Sequence, residues 1–370
     1  MGLAALSLML FGAMGCAGFF VYPGSLPGSG SGSTSGDYVY VANATTDSVI
    51  GFAVGTGTLT AVTNSSYALS FIPTAMAVNP ANTILFVAGS ASIYAFAIES
   101  GGALSVLNGG SAVGFAAVVS MDISPDGQWL LALDGNGLTV DEFLINSTTG
   151  LLTQVAGASY SVSGATAVPH AVKVAPNGQL VFVALGTGGD LVFTFNTTNG
   201  TLASSQQLAP ASATASDNAL AVSPNSSYLY IARSGTGGGL AAYSVGVNGA
   251  LTSVSGSPFT AGTQPYSVVV NTAGTDVYVA NRGDNTISGF AIASSGTLTA
   301  LSGSPYTSGT AVTALAADKS GDYLLAAANG GAPDLTMYSF DSTVAGKLDL
   351  ATTTTTGTDP TGPIALAVTH

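Results

Sequence analysis

The chain has 370 residues, 47% hydrophobic and only 6% charged, so it can bury a large core and must build its polar surface mainly from Ser, Thr, Asn and Gly. Its 18 acids against five bases leave a net charge of −13. That balance excludes a nucleic-acid binder, which needs clustered Lys and Arg, and it excludes electrostatic attachment to an anionic membrane.

The first segment, GLAALSLMLFGAMGC from Gly2 to Cys16, is a short apolar run ending in small residues. It is too short for a membrane span and reads as a signal-peptide core occupying residues 1–16. Cys16 is the one cysteine, so no disulfide can form within the chain. Ala13, Met14 and Gly15 ahead of Cys16 resemble a bacterial lipobox, although that motif favours Leu where Ala13 stands. The resemblance implies export, lipidation at Cys16 and a place in the cell envelope or on the surface, with plain secretion as the alternative. Residues 17–36, rich in Gly, Ser and Pro, follow as a flexible tether.

From Asp37 to His370 the chain repeats. Taking Ala42, Ala88, Leu133, Ala184, Ala232, Ala280 and Ala328 as equivalent, the spacings are 46, 45, 51, 48, 48 and 48 residues. Each copy holds the same four runs. An apolar run closed by a turn, such as SMDISPDG or HAVKVAPNG, precedes the anchor run, such as YVYVAN or VYVANR. An alternating run such as VIGFAV or ISGFAI follows, then a turn and a last run such as GTLTAV. Pro-Asp-Gly and Pro-Asn-Gly suit a tight turn, because Gly accepts positive φ. Four antiparallel strands in such a period make one blade of a propeller, so the fold class is all-β: a seven-bladed β-propeller. The repeat enters at a second strand, Tyr38 to Ala42, and ends on PIALAVTH, Pro363 to His370, which matches the innermost strands. The C-terminal strand should therefore complete the N-terminal blade and close the ring.

SPDGQWLLALDGNG, APNGQLVFVALGTGGD and TDVYVANRGDNTISGFAIASSGTLTAL resemble YVTN-type repeats and the lactonase family of seven-bladed propellers, which includes 6-phosphogluconolactonase-like proteins. The resemblance spans Asp37 to His370. It places Pro169, His170, Pro176, Asn177 and Gly178, then Leu185, Gly186, Thr187 and Asp190, on the family's P-H-x-x-x-x-x-P-D-G and D-L-G-T-D patterns, with Ala184 in place of the first acid. The family's following Arg and Glu are replaced: those positions read Asp217, Asn218, Ala219 and then Arg233, Ser234. Its N-R-G is kept as Asn281, Arg282 and Gly283.

His170 begins an innermost strand and Arg282 ends a second strand, so both should lie on one face beside the central channel. His170 could move a proton and Arg282 could hold an oxyanion or carboxylate, which makes them the candidate catalytic pair for lactone chemistry. The structural alternatives are a channel-lining hydrogen bond for His170 and an ion pair with Asp284 or Asp276 for Arg282. Asp141 and Glu142 read as solvated strand positions. No phosphate loop, Cys/His cluster or nucleophile elbow occurs, and no cofactor or metal is expected. Because the catalytic set looks incomplete, the expected function is a binding or interaction module. Its partner would be a small molecule, carbohydrate or protein at one propeller face, with membrane contact only through the lipid anchor. A lactone hydrolase of the 6-phosphogluconolactonase type and a self-associating structural surface protein are the alternatives.

Overall fold

The computed structural model describes residues 36–162, 169–331, 333–357 and 363–370. The expected leader, tether and lipidation residue Cys16 lie outside the described residues, apart from Gly36. Seven antiparallel sheets form the blades, numbered 1 to 7 in chain order. The innermost strands of blades 2 to 7 are Ala75–Val78, Val118–Ile123, Ala171–Val174, Ser216–Val222, Pro265–Val270 and Val312–Ala317. Blade 1 takes its innermost strand, Pro363–Val368, from the C-terminal end, pairing it antiparallel to Tyr38–Asn43 through Val39 with Val368, Tyr40 with Ala367 and Val41 with Leu366. The ring is closed as one strand plus three.

Hydrophobic clusters fill the spaces between neighbouring blades, which is why the second strands are apolar on both faces. All seven anchor residues are buried, but in blade 7 the register sets Ala327, one residue before the expected Ala328, where Ala280 stands in blade 6. Side-chain volume is matched across each pair of second and third strands. A Tyr faces Gly at Tyr40 with Gly51 and at Tyr278 with Gly289, and a Tyr or Phe faces Ala at Tyr230 with Ala242 and at Phe86 with Ala95. Phe182 faces Val192, Leu325 faces Met337 and Leu131 faces Glu142. As the inner partner shrinks, the outer one grows, and the interblade gap stays packed. The phenols of Tyr40 and Tyr278 then reach past their glycines into the next blade, donating to the carbonyls of Gly102 at 2.9 Å and Gly346 at 2.6 Å.

The turns after the innermost strands follow the expected chemistry. Gly127 and Gly178, the last residues of the Pro-Asp-Gly and Pro-Asn-Gly turns, adopt φ of 71° and 70°. The residue just after the strand often closes the turn with its side chain: Asn79 Oδ1 accepts the N–H groups of Thr83 and Ile84, and Asn271 Oδ1 those of Thr275 and Asp276. Two blades depart from four strands. In blades 1 and 6 the outermost strands are short, and Tyr67–Ala68 and Tyr306–Thr307 return to pair with the third strand. Asp141 and Glu142 also differ from expectation. They lie in a third strand enclosed between blades, and both are buried.

Candidate active site

Where the innermost strands begin, they open into a funnel of about 450 Å³ around the central axis. Every blade lines it. Thr74, Ser120, His170, Asn218, Tyr266 and Thr313 come from blades 2 to 7 in order, and Ala365 comes from blade 1. The local reason is a recurring irregularity in the pairing of the first and second strands. In blades 3, 5, 6 and 7 the register jumps past one residue, so that Val119, Asn218, Tyr266 and Thr313 each stand as the extra residue of a bulge. A bulge turns its side chain out of the ladder, here into the funnel. Blade 4 has an unbroken ladder, and the same mouth position is taken by His170, whose N–H bonds to the carbonyl of Ala184 at 2.9 Å.

A belt of side chain to backbone bonds ties the innermost strands of blades 2 to 7, each to the next. Thr74 Oγ1 donates to Val118 O at 2.7 Å, Val172 N–H to Ser120 Oγ at 3.2 Å, Asn218 Nδ2 to Pro265 O at 2.7 Å, and Leu315 N–H to Ser267 Oγ at 3.1 Å. His170 supplies the link between blades 4 and 5, with Nδ1 3.1 Å from the carbonyl oxygen of Asp217. A carbonyl can only accept, so Nδ1 carries the proton and Nε2 of the neutral ring keeps its lone pair. The ring is exposed in the funnel, and Nε2 has no hydrogen-bond partner among the described residues. The ring lies against Gly186, whose φ is 61° and where an added Cβ would meet His170 Cε1 at 3.0 Å. The structural and chemical readings of His170 thus use different nitrogens of one ring.

Arg282 is on the same face, as expected. Its N–H bonds to Gln264 O at 3.0 Å, beside the start of the innermost strand of blade 6. Its guanidinium lies 4.9 Å from the ring centroid of Tyr266, a cation–π contact that joins it to the funnel through a lining residue. Neither anticipated ion pair forms. Asp284 accepts the N–H of Thr263, and Asp276 is bound by Asn271 and Thr275.

Behind His170 lies a buried charged cluster that sequence reasoning did not assemble. Arg233 Nη2 is 3.0 Å from Asp217 Oδ2 while its Nε donates to Oδ1, and Asp190 Oδ2 stands 3.8 Å from Nη2. Arg233, Asp217 and Asp190 are 4%, 1% and 2% exposed, too dry for three independent charges. Burial, then the neighbouring Asp217 carboxylate, push Asp190 well above the usual carboxylate range in spite of Arg233. Burial works against the charge of Arg233, but the Asp217 hydrogen bonds and charge outweigh it and raise its pKa. The upward shift favours the neutral form of Asp190 and so lessens the charge that the cluster must bury. The sequence carried no direct signal: an unbroken ladder would set Asn218 opposite Arg233, and only the bulge brings Asp217 there.

The chain matches the family described as "Lactonase, 7-bladed beta-propeller" over residues 31–119 and 92–362. Solved structures of similar fold include a protein from Bacteroides uniformis provisionally named a 6-phosphogluconolactonase, at 18% identity, covering 90% of this chain and 100% of that one with a TM-score of 0.74. A protein from Lactobacillus plantarum is 20% identical over 90% of this chain and 100% of that one, TM-score 0.72. The periplasmic gluconolactonase of Pseudomonas aeruginosa is 17% identical over 91% and 99%, TM-score 0.71. At these identities the structures speak for the fold alone. No curated protein matches the chain. The family match overturns the expectation of a binding or interaction module, which rested on two replaced positions in one blade.

Proposed function

Because the chain belongs to the lactonase family of seven-bladed β-propellers, we propose that it hydrolyses a lactone in the funnel, with His170 as proton-transfer group and Arg282 as electrostatic partner. The observation that carries this reading is the state of His170, anchored through Nδ1 and open to the funnel through Nε2. Nε2 takes a proton from water as the water oxygen bonds to the lactone carbonyl carbon. The ring C–O bond then breaks, and the proton on Nε2 passes to the departing alkoxide. The products are a carboxylic acid and a hydroxyl on one open chain. Arg282, held over Tyr266, offers the positive charge that the tetrahedral oxyanion and the product carboxylate need.

The charge distribution supports an unphosphorylated substrate. Of the five cationic side chains, Lys173 pairs with Asp122, Arg233 with Asp217, and Lys347 with Asp341 and Asp349. Lys319 follows the innermost strand of blade 7, at the end of the channel away from the funnel. One guanidinium against a net charge of −13 is poor provision for a phosphate dianion. A proton-release assay with neutral aldonolactones should show saturable hydrolysis. His170→Ala should lower kcat/KM by about a hundredfold and Arg282→Ala by about tenfold. Turnover unchanged in both variants would defeat the reading.

The segment from Gly2 to Cys16 supports export, with Cys16 as a lipid anchor and the following residues as tether. Labelled palmitate should enter the wild-type protein in a Gram-negative host and be absent from Cys16→Ser. Label retained in the variant rules the anchor out.

A further inference from the structure

The belt around the funnel makes one link unlike the others. Elsewhere a hydroxyl or amide joins neighbouring innermost strands, whereas between blades 4 and 5 the donor is the imidazole proposed to do chemistry. The acceptor is equally unusual. Asp217 is held at three points, and His170 is one of them. Its carbonyl accepts from Nδ1 at 3.1 Å. Its N–H donates at 3.1 Å to the carbonyl of Gly186, the residue on which the imidazole rests. Its carboxylate is gripped on both oxygens by Arg233, which itself is buried.

Asp217 keeps Arg233 as its ladder partner, but the bulge that turns Asn218 into the funnel begins at the next residue, so the Asp217–Asn218 peptide that carries this carbonyl sits at the break in the ladder. Something other than the ladder must fix the direction of its carbonyl. The two-point Arg233 grip does so, because a planar guanidinium on both carboxylate oxygens leaves the Asp217 side chain one orientation. We propose that Asp217, clamped by Arg233, is a positioning residue that holds His170 in its Nδ1–H tautomer and keeps Nε2 facing the substrate. Neither residue touches the reacting atoms. Without the clamp, the Asp217 carbonyl can turn away, Nδ1 loses its acceptor, and the ring is free to place its proton on Nε2, where it cannot serve as a base.

The kinetic arm of the test rests on the lactone-opening reading, and the spectroscopic arm does not. The chain has two histidines, so ¹⁵N spectra of the imidazoles can be assigned with His370→Gln. Arg233→Met alone leaves a buried carboxylate without its cation and can fail to fold. The paired change Asp217→Asn with Arg233→Met removes both charges together, and Arg233→Lys keeps the charge while losing the fork. In the wild type the neutral imidazole of His170 should show a protonated Nδ1 and an unprotonated Nε2. In the paired variant the two tautomers should mix, and kcat should fall about tenfold or more with KM moving far less. Arg233→Lys should fall between. A paired variant that melts as the wild type and keeps a pure Nδ1–H tautomer would overturn the positioning role, whatever its activity. Altered tautomers in a protein that hydrolyses no lactone would keep the positioning role and remove the lactonase reading instead.

Discussion

Glu142 occupies the place in blade 3 that Met337 holds in blade 7, facing Leu131 as Met337 faces Leu325. The two side chains are close in length, which is how a carboxyl group fits an apolar slot. It is 0% exposed, and neither carboxyl oxygen has a partner among the described residues. Burial, with a contribution from the Asp141 charge, raises its pKa to about 8. A folded-state pKa above the unfolded value of about 4.3 means that the folded protein binds the proton more tightly. The ionisation of Glu142 therefore costs nothing below the unfolded pKa, costs progressively more as pH rises between the two values, and costs its full amount above about 8. Glu142→Met should raise the melting temperature, by little at pH 4.5 and most at pH 8.5. A gain that is the same at both pH values would show that the carboxyl is not carrying the effect. Sequence alone could not expose this residue: two adjacent acids on a strand read as a solvated pair, and only the enclosure of third strands between blades says otherwise.

Within a blade, the second and third strands are specified by volume as much as by hydrophobicity. Gly51 and Gly289 are glycine because a Cβ there would meet the ring of Tyr40 at 3.1 Å and of Tyr278 at 3.0 Å, and also Val62 at 2.8 Å and Leu301 at 3.0 Å. Gly51→Val should destabilise by about 1–3 kcal/mol, the cost of overpacking a tight core. The cost should shrink when Tyr40→Leu is made with it, since the ring is part of what the new methyl groups strike. Additive melting shifts across that double-mutant cycle would refute volume matching. Strand identity was legible in the sequence because each anchor run is apolar on both faces and bounded by turn residues. The bulges were not. Nothing in Pro-Tyr-Ser or Asp-Asn-Ala announces that Tyr266 and Asn218 leave the ladder, so the funnel lining could be anticipated only at His170, where the ladder is regular. The same limit hid Arg233, whose partner Asp217 is fixed by a register that the bulge shifts.

At the scale of the whole molecule, seven blades each bury their faces against two neighbours, and one gap would expose two such faces at once. The ring is shut by a strand far in sequence from the strand it joins. Beyond the ladder of blade 1, Tyr38 N–H donates to Thr369 Oγ1 at 2.9 Å and Thr369 N–H to Tyr38 O at 3.0 Å. His370 then crosses to blade 2: its N–H donates to Asn82 Oδ1, and Asn82 Nδ2 donates to its carbonyl, both at 2.7 Å. Its ring nitrogen Nε2 donates to Val78 O at 3.2 Å. The closing segment therefore completes one sheet and clasps it to the next. Deleting residues 364–370 removes both functions, leaving the inner edge of Tyr38–Asn43 unpaired and taking away the two Asn82–His370 bonds. Asn82→Ala removes the two side-chain bonds of the clasp, adds the strain of Ala at a φ of 58°, and leaves the closing strand paired. The deletion should give insoluble protein or a large fall in melting temperature, whereas Asn82→Ala should cost about 1–3 kcal/mol. A deletion variant that melts within about two degrees of the full chain would show that the ring does not depend on its closing strand.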